Sequence, residues 1–140
     1  MRYRTILLAL DMDAKNASVI DYAFAFAEKA GATLHTLHAC PVGVAPGGAE
    51  SRYYADLRER AKQEMEQALA LHRGSPSRGK SFLDLNEPIT AIVNTAAKLG
   101  ADLVILSTHG RQGLERVVVG SVAEGVLDEV QVPVLVMRSS

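Results

Sequence analysis

The chain has 140 residues, 48% of them hydrophobic and 22% charged, and fifteen Lys and Arg against sixteen Asp and Glu give a net charge of −1. That length fits one domain, residues 1–140, with one substantial core, and that balance fits a soluble globular protein with no overall field to attract nucleic acid or an acidic membrane. The single cysteine, Cys40, excludes an internal disulfide, and the apolar run in the opening MRYRTILLALDMD is too short for a signal peptide or a bilayer span, so a cytoplasmic location is expected.

Thr5 to Leu10, TILLAL, is a continuous apolar run and predicts a strand covered on both faces. Ser18 is placed to cap a helix from Val19 to Ala30, with Asp21 three residues on and Gly31 as its stop. Thr33 to Ala39 reads as the second strand. Pro41 to Glu50, with three glycines and a second proline, reads as a long loop. From Ser51 to about His72, the spacing of Tyr54, Leu57, Ala61, Met65 and Ala68 predicts an amphipathic helix whose charged residues face solvent. A turn over Arg73 to Gly79 leads to a third strand, Ser81 to Leu85. Pro88 suits the first turn of a helix with the stripe Ile89, Ile92, Val93 and Ala96, closed by Gly100. Leu103 to Leu106, Val122 to about Val130 and Val132 to Met137 complete the series as strand, helix and strand. This alternation predicts an α/β fold, a doubly wound sheet of five parallel strands in the order 3-2-1-4-5 with four helices on its two faces.

In such a sheet a ligand binds where strand order reverses, beside strands one and four, and there Asp11 and Gly110 are expected to meet. The stretch DLVILSTHGRQGLERVVVGSVAE carries the means. The fourth strand ends in Ser107-Thr108-His109-Gly110, and Gly120-Ser121 opens the last helix. Backbone N–H groups of glycine turns and a helix N-terminus, converging on one crevice, favour an anion. A second phosphate pattern is present: Gly74 to Ser81 matches the P-loop expression G-x-x-x-x-G-K-[ST]. Its context is wrong, because a P-loop follows a strand and opens a helix, whereas here a helix precedes and a strand follows.

The turn Ser107-Thr108-His109-Gly110, nine residues, then Gly120-Ser121, together with ILLALD, the strand ending Leu37-His38-Ala39, the turn before Pro88, VVVGSVAEGVL and VPVLVMR, resembles the universal stress protein family in its ATP-binding subclass. The resemblance implies an adenine nucleotide alpha-hydrolase-like fold and an ATP site with Mg2+ or Mn2+ bridging the phosphates. It brings Asp11 beside the nucleotide and the backbone of Ala39 to the adenine. It brings Gly110, Gly120 and Ser121 to the phosphates, with Ser107, Thr108, His109, Arg111, Gly113 and Val122 around them. It also implies a homodimer through the last strand, Val132 to Met137, whose valines would otherwise leave an open apolar edge. Two residues depart from the family pattern. Ser107 stands where its first glycine is found, and Asn86 stands where a glycine precedes the third strand's proline; Asn suits a left-handed turn.

Each residue also has a purely structural reading. Ser121 with Glu124 forms the capping-box spacing S-x-x-E, Asp11 can cap its own turn, His109 and Gly113 can be turn residues, and Arg111 can be a surface cation. Hydrolysis needs a group that orients water at the γ-phosphate. Only Asp11, His109 and Arg111 are candidates, so at most slow turnover is expected. The function implied is that of a nucleotide-dependent regulatory, stress-response protein. The alternative is a dimeric interaction module whose nucleotide site is vestigial.

Overall fold

Runs of leucine, isoleucine and valine with no polar interruption can bury both faces only inside a sheet that helices cover on both sides. That is the arrangement in the computed structural model of the protein, which describes residues 2–10, 16–39, 50–109 and 120–139. The elements are β1 (Thr5–Leu10), α1 (Ala17–Ala30), β2 (Thr33–Ala39), α2 (Glu50–Ala68), a short 3-10 turn (Ala70–His72), β3 (Arg78–Asp84), α3 (Pro88–Leu99), β4 (Leu103–His109), α4 (Ser121–Glu129) and β5 (Val134–Ser139). The strands form one parallel sheet in the order β3-β2-β1-β4-β5, as the alternation predicted.

Side-chain alternation along the strands divides the core in two. Ile6, Leu8, Leu34, Leu103 and Ile105 meet Val19, Ile20, Phe24 and Ala27 of α1 and Met65 of α2 on one face. Leu7, Ala9, Leu37, Val104 and Leu106 meet Ala91, Ile92 and Ala96 of α3 and Ala123 and Val126 of α4 on the other. At the amino ends of the strands, the Asp102 carboxylate accepts from the amides of Arg4 and Thr5 at 2.9 and 3.2 Å, joining β1 to the start of β4.

Several boundaries differ from those expected, each for a local reason. α1 begins at Ala17 with Asn16 before it, so Ser18 lies inside the first turn and caps nothing. β3 begins at Arg78 and so takes in Arg78 and Gly79, which were expected to end the turn, together with Lys80. β4 runs three polar residues past Leu106, because Ser107, Thr108 and His109 pair with Met137, Arg138 and Ser139 of β5. β5 correspondingly starts at Val134 rather than Val132. α3 opens with Pro88 as expected, and the Glu87 carboxylate caps it, accepting from Ile89 N at 2.7 Å and Thr90 N at 3.2 Å. Asn86 does not adopt the left-handed conformation, since among the described residues only glycines have positive φ. Its amide and side-chain nitrogen instead donate to Asp84 Oδ1, which turns the chain without left-handed backbone. Cys40 and the expected loop before Glu50 lie outside the described residues, while Glu50 itself opens α2.

Candidate functional site

Parallel pairing aligns the carboxyl ends of the central strands. Leu10 of β1 stands opposite His38 of β2, and Ala9 stands opposite Leu106 of β4. Ala39 is therefore one residue beyond the position level with the end of β1, and Ser107 is one residue beyond the partner of Ala9, level with that end. The order reverses between β1 and β4, so the crevice opens there.

One wall belongs to α4. Ala123, in its first turn, is buried in the same cluster as Ala9 and Leu106, and this seats the helix N-terminus above the ends of β1 and β4. Its N-cap is Gly120, at φ 37° and ψ 156°, with no side chain to accept from the first-turn amides. A Cβ built on Gly120 would meet nothing within 4 Å, so the glycine is required by its backbone conformation rather than by crowding. Gly120 O accepts from Glu124 N at 3.1 Å and begins the helical ladder. Ser121 is thus the first helical residue and not the cap, which removes the expected Ser121–Glu124 capping box. Ser121 and Val122 are both exposed in this first turn.

The other wall belongs to α1. Leu103 and Ile105 face α1, so Ser107 faces it too. The half-buried Ser107 hydroxyl donates to Asn16 Oδ1 at 3.2 Å. Its proton is therefore committed within the protein, and Ser107 offers a ligand only lone pairs. Its φ is not positive, so a serine where a glycine was expected carries no backbone strain. Nearby, the His38 ring lies with Nδ1 3.2 Å from Leu10 O, and the ring is 9% exposed. That bond ties the ends of β1 and β2 together beneath Ala39.

Of the residues expected at the site, Ala39, Ser107, Gly120, Ser121 and Val122 are brought to the carboxyl edge of the sheet. The backbones of Thr108 and His109 continue β4 past the same edge. Asp11, Gly110, Arg111 and Gly113 lie outside the described residues. Asn16 was not foreseen, because its partner is 91 residues away in sequence. The only sequence signal was an asparagine just before an amphipathic helix, which reads as a cap. The P-loop look-alike is taken apart by the fold, since Gly79, Lys80 and Ser81 lie within β3, an edge strand, and open no helix. Among the described residues, no three His, Cys, Asp or Glu side chains converge as a metal site.

A five-stranded parallel sheet in this order, with four helices on its two faces, defines an α/β protein of the nucleotide alpha-hydrolase-like kind. The chain belongs to the universal stress protein family, whose model matches residues 2–138. It is 30% identical over 131 residues to universal stress protein A homolog 1 of Coxiella burnetii, covering 91% of this chain and 90% of that protein. Two relatives from Methanocaldococcus jannaschii match over less of their length. Universal stress protein MJ0531 is 47% identical over 51 residues, 36% of this chain and 30% of the relative. Universal stress protein MJ0577 is 32% identical over 82 residues, 59% of this chain and 51% of the relative.

Among solved structures, MJ0577 superposes with a TM-score of 0.79 at 23% identity, covering 100% of this chain and 99% of the other. A universal stress protein from Archaeoglobus fulgidus in complex with dAMP superposes at 0.69, with 24% identity and coverage of 97% and 98%. A universal stress protein in complex with cAMP superposes at 0.62, with 24% identity and full coverage of both chains.

Proposed function

We propose that this chain is an adenine-nucleotide-binding protein that holds ATP in the β1–β4 crevice, with Mg2+ or Mn2+ bridging the phosphates. It acts as a nucleotide-dependent regulatory, stress-response protein of the cytoplasm. The observation that carries this reading is the α4 N-terminus at the carboxyl edge of the sheet, whose N-cap, Gly120, has no side chain to accept from the first-turn amides. Those amides and the helix dipole favour an anion, and a phosphate is a suited acceptor for them. Two structural relatives solved with dAMP and cAMP support an adenine nucleotide as the source of that phosphate. In the proposal Asp11 and the Ala39 backbone flank the ribose and adenine. Gly110, Gly120 and Ser121 hold the phosphates, and Ser107, Thr108, His109, Arg111, Gly113 and Val122 line the remainder. In the proposal the divalent ion is held through phosphate oxygens. The candidates to orient water at the γ-phosphate are Asp11, His109 and Arg111, none of them a dedicated base, so hydrolysis is slow at most.

The chain works in this proposal as one universal stress domain, paired with a second copy through β5, an edge strand of the sheet. Among the described residues no helix is long and apolar enough to cross a membrane.

Calorimetric titration of ATP into the wild type and Gly120→Asp tests the site. Saturable wild-type binding below ~1 mM is expected, weakened at least tenfold in the variant, because a carboxylate at the helix N-cap takes the amides and repels phosphate. The second reading is an interaction module with a vestigial site. It is favoured by the side chain at Ser107, and it prevails if neither protein binds ATP at about 1 mM.

A further inference from the structure

We infer that Asn16 is a positioning residue for the proposed nucleotide site, acting through Ser107. An asparagine in front of a helix ordinarily turns its side-chain oxygen to the first-turn amides. Asn16 does not: it makes no side-chain cap bond to α1, and its Oδ1 accepts from Ser107 Oγ instead, at 3.2 Å. The residue is 7% exposed, and its own carbonyl accepts from Ile20 N at 2.8 Å, so its backbone is fixed in the helix while its side chain reaches the sheet. Ser107 is held equally firmly, lying within β4 with Met137 of β5 as its register partner.

The bond therefore spans two anchored points, one just after the β1–α1 connection and one near the end of β4. Both points lie at the carboxyl edge of the sheet on the α1 side. The contact acts as a strut that sets the distance between them, and it is buried enough for its loss to be felt. It also explains the serine. A glycine at position 107 has no hydroxyl to give, so in this chain the side chain serves the site by holding its wall rather than by touching the ligand. Restoring the glycine of the family pattern weakens the site instead of improving it. This inference rests on the nucleotide reading above for its consequence, while the strut itself is a property of the free protein.

A double-mutant cycle on Asn16→Ala and Ser107→Gly tests it, with ATP affinity read by calorimetry at a temperature where circular dichroism finds all four proteins folded. Each single variant is expected to bind ATP about three- to tenfold more weakly, the factor that one hydrogen bond supplies. The double variant is expected to lose less than the product of the two single losses, since both remove the Ser107–Asn16 bond. Unchanged affinity in Asn16→Ala, tighter binding in Ser107→Gly, or losses that multiply would each overturn the positioning role. A stability loss without an affinity loss would also overturn it, leaving Asn16 a packing residue. Hydrogen exchange on the nucleotide-free proteins reads the strut independently. The amides of Ser107, Thr108 and His109 are expected to exchange faster in Asn16→Ala, with those of Leu7 and Leu8 unchanged; equal protection throughout would sink the strut. Wild type that fails to bind ATP, with exchange altered as expected, contradicts the nucleotide reading and, with it, the positioning role.

Discussion

Gly79 leaves no room for a side chain. A Cβ there would lie 2.6 Å from His35 Nδ1 and 2.8 Å from Thr33 Cγ2. The ring is close because His35 Nδ1 accepts from Lys80 N at 2.9 Å, at the point where the β2–β3 register shifts between Leu34 and Thr36. The glycine and lysine of the P-loop look-alike thus serve an irregular strand pairing in which a histidine replaces a backbone acceptor. Gly79→Ala is expected to lower stability by about 1–3 kcal/mol, because the stacked backbone and ring cannot both give way. Lys80→Ala, which keeps the amide, is expected to leave ATP affinity at its wild-type value in calorimetry. A large loss of affinity in Lys80→Ala would reinstate the P-loop.

At the scale of elements, the hydrophobic runs located all five strands and four helices, because burial on both sheet faces leaves a pattern that composition alone reveals. The ends were less legible, because hydrogen bonds set them. Ser107-Thr108-His109 looks like a turn by composition and is strand because β5 lies beside it. Gly120 displaces Ser121 from the cap through its own φ, and Asn16 gives its oxygen to a residue that only the fold brings near. The place of the α4 N-terminus after β4 was legible, since glycine spacing relative to a strand is local information. Its α1-side wall was not. β5 raises a different question, because it is an edge strand whose neighbours include the exposed Pro133. Val104 N donates to Pro133 O at 3.1 Å, so the alternation of a parallel ladder turns the N–H groups of Val134 and Val136 away from β4. Pairing with a second β5 uses those donors. Val136→Pro removes one of them at an edge where proline is tolerated. In sedimentation at micromolar concentration the wild type is expected as a dimer and Val136→Pro as a monomer. A wild-type monomer would contradict the pairing.

At the scale of the whole molecule, two groups link folding to pH in the same direction. His35 is held below its ordinary value of 6.5, first by burial and then by the Lys80 charge. Above that value the ring is neutral in both folded and unfolded chains. As pH falls below it, the unfolded chain takes up the proton more readily than the folded one, so stability declines. The Glu87 carboxyl is held below its ordinary 4.5 by the amides of Ile89 and Thr90. Its contribution is complete above that value and is lost as pH falls through the lowered one. Thermal melts are therefore expected to fall continuously from about pH 7 to pH 4, with His35→Gln flattening the upper part of the decline. An unchanged slope in that variant would assign the linkage elsewhere.

The sheet, the two walls and the open helix end together make one claim, that a phosphate chain rests on the first turn of α4. The most direct measurement is a crystal structure of the protein grown with excess ATP and Mg2+. Adenine is expected beside Ala39, with phosphate oxygens within hydrogen-bonding distance of the Ser121 and Val122 amides. Density for the phosphates away from the α4 N-terminus, or no nucleotide density at saturating ATP, would contradict it.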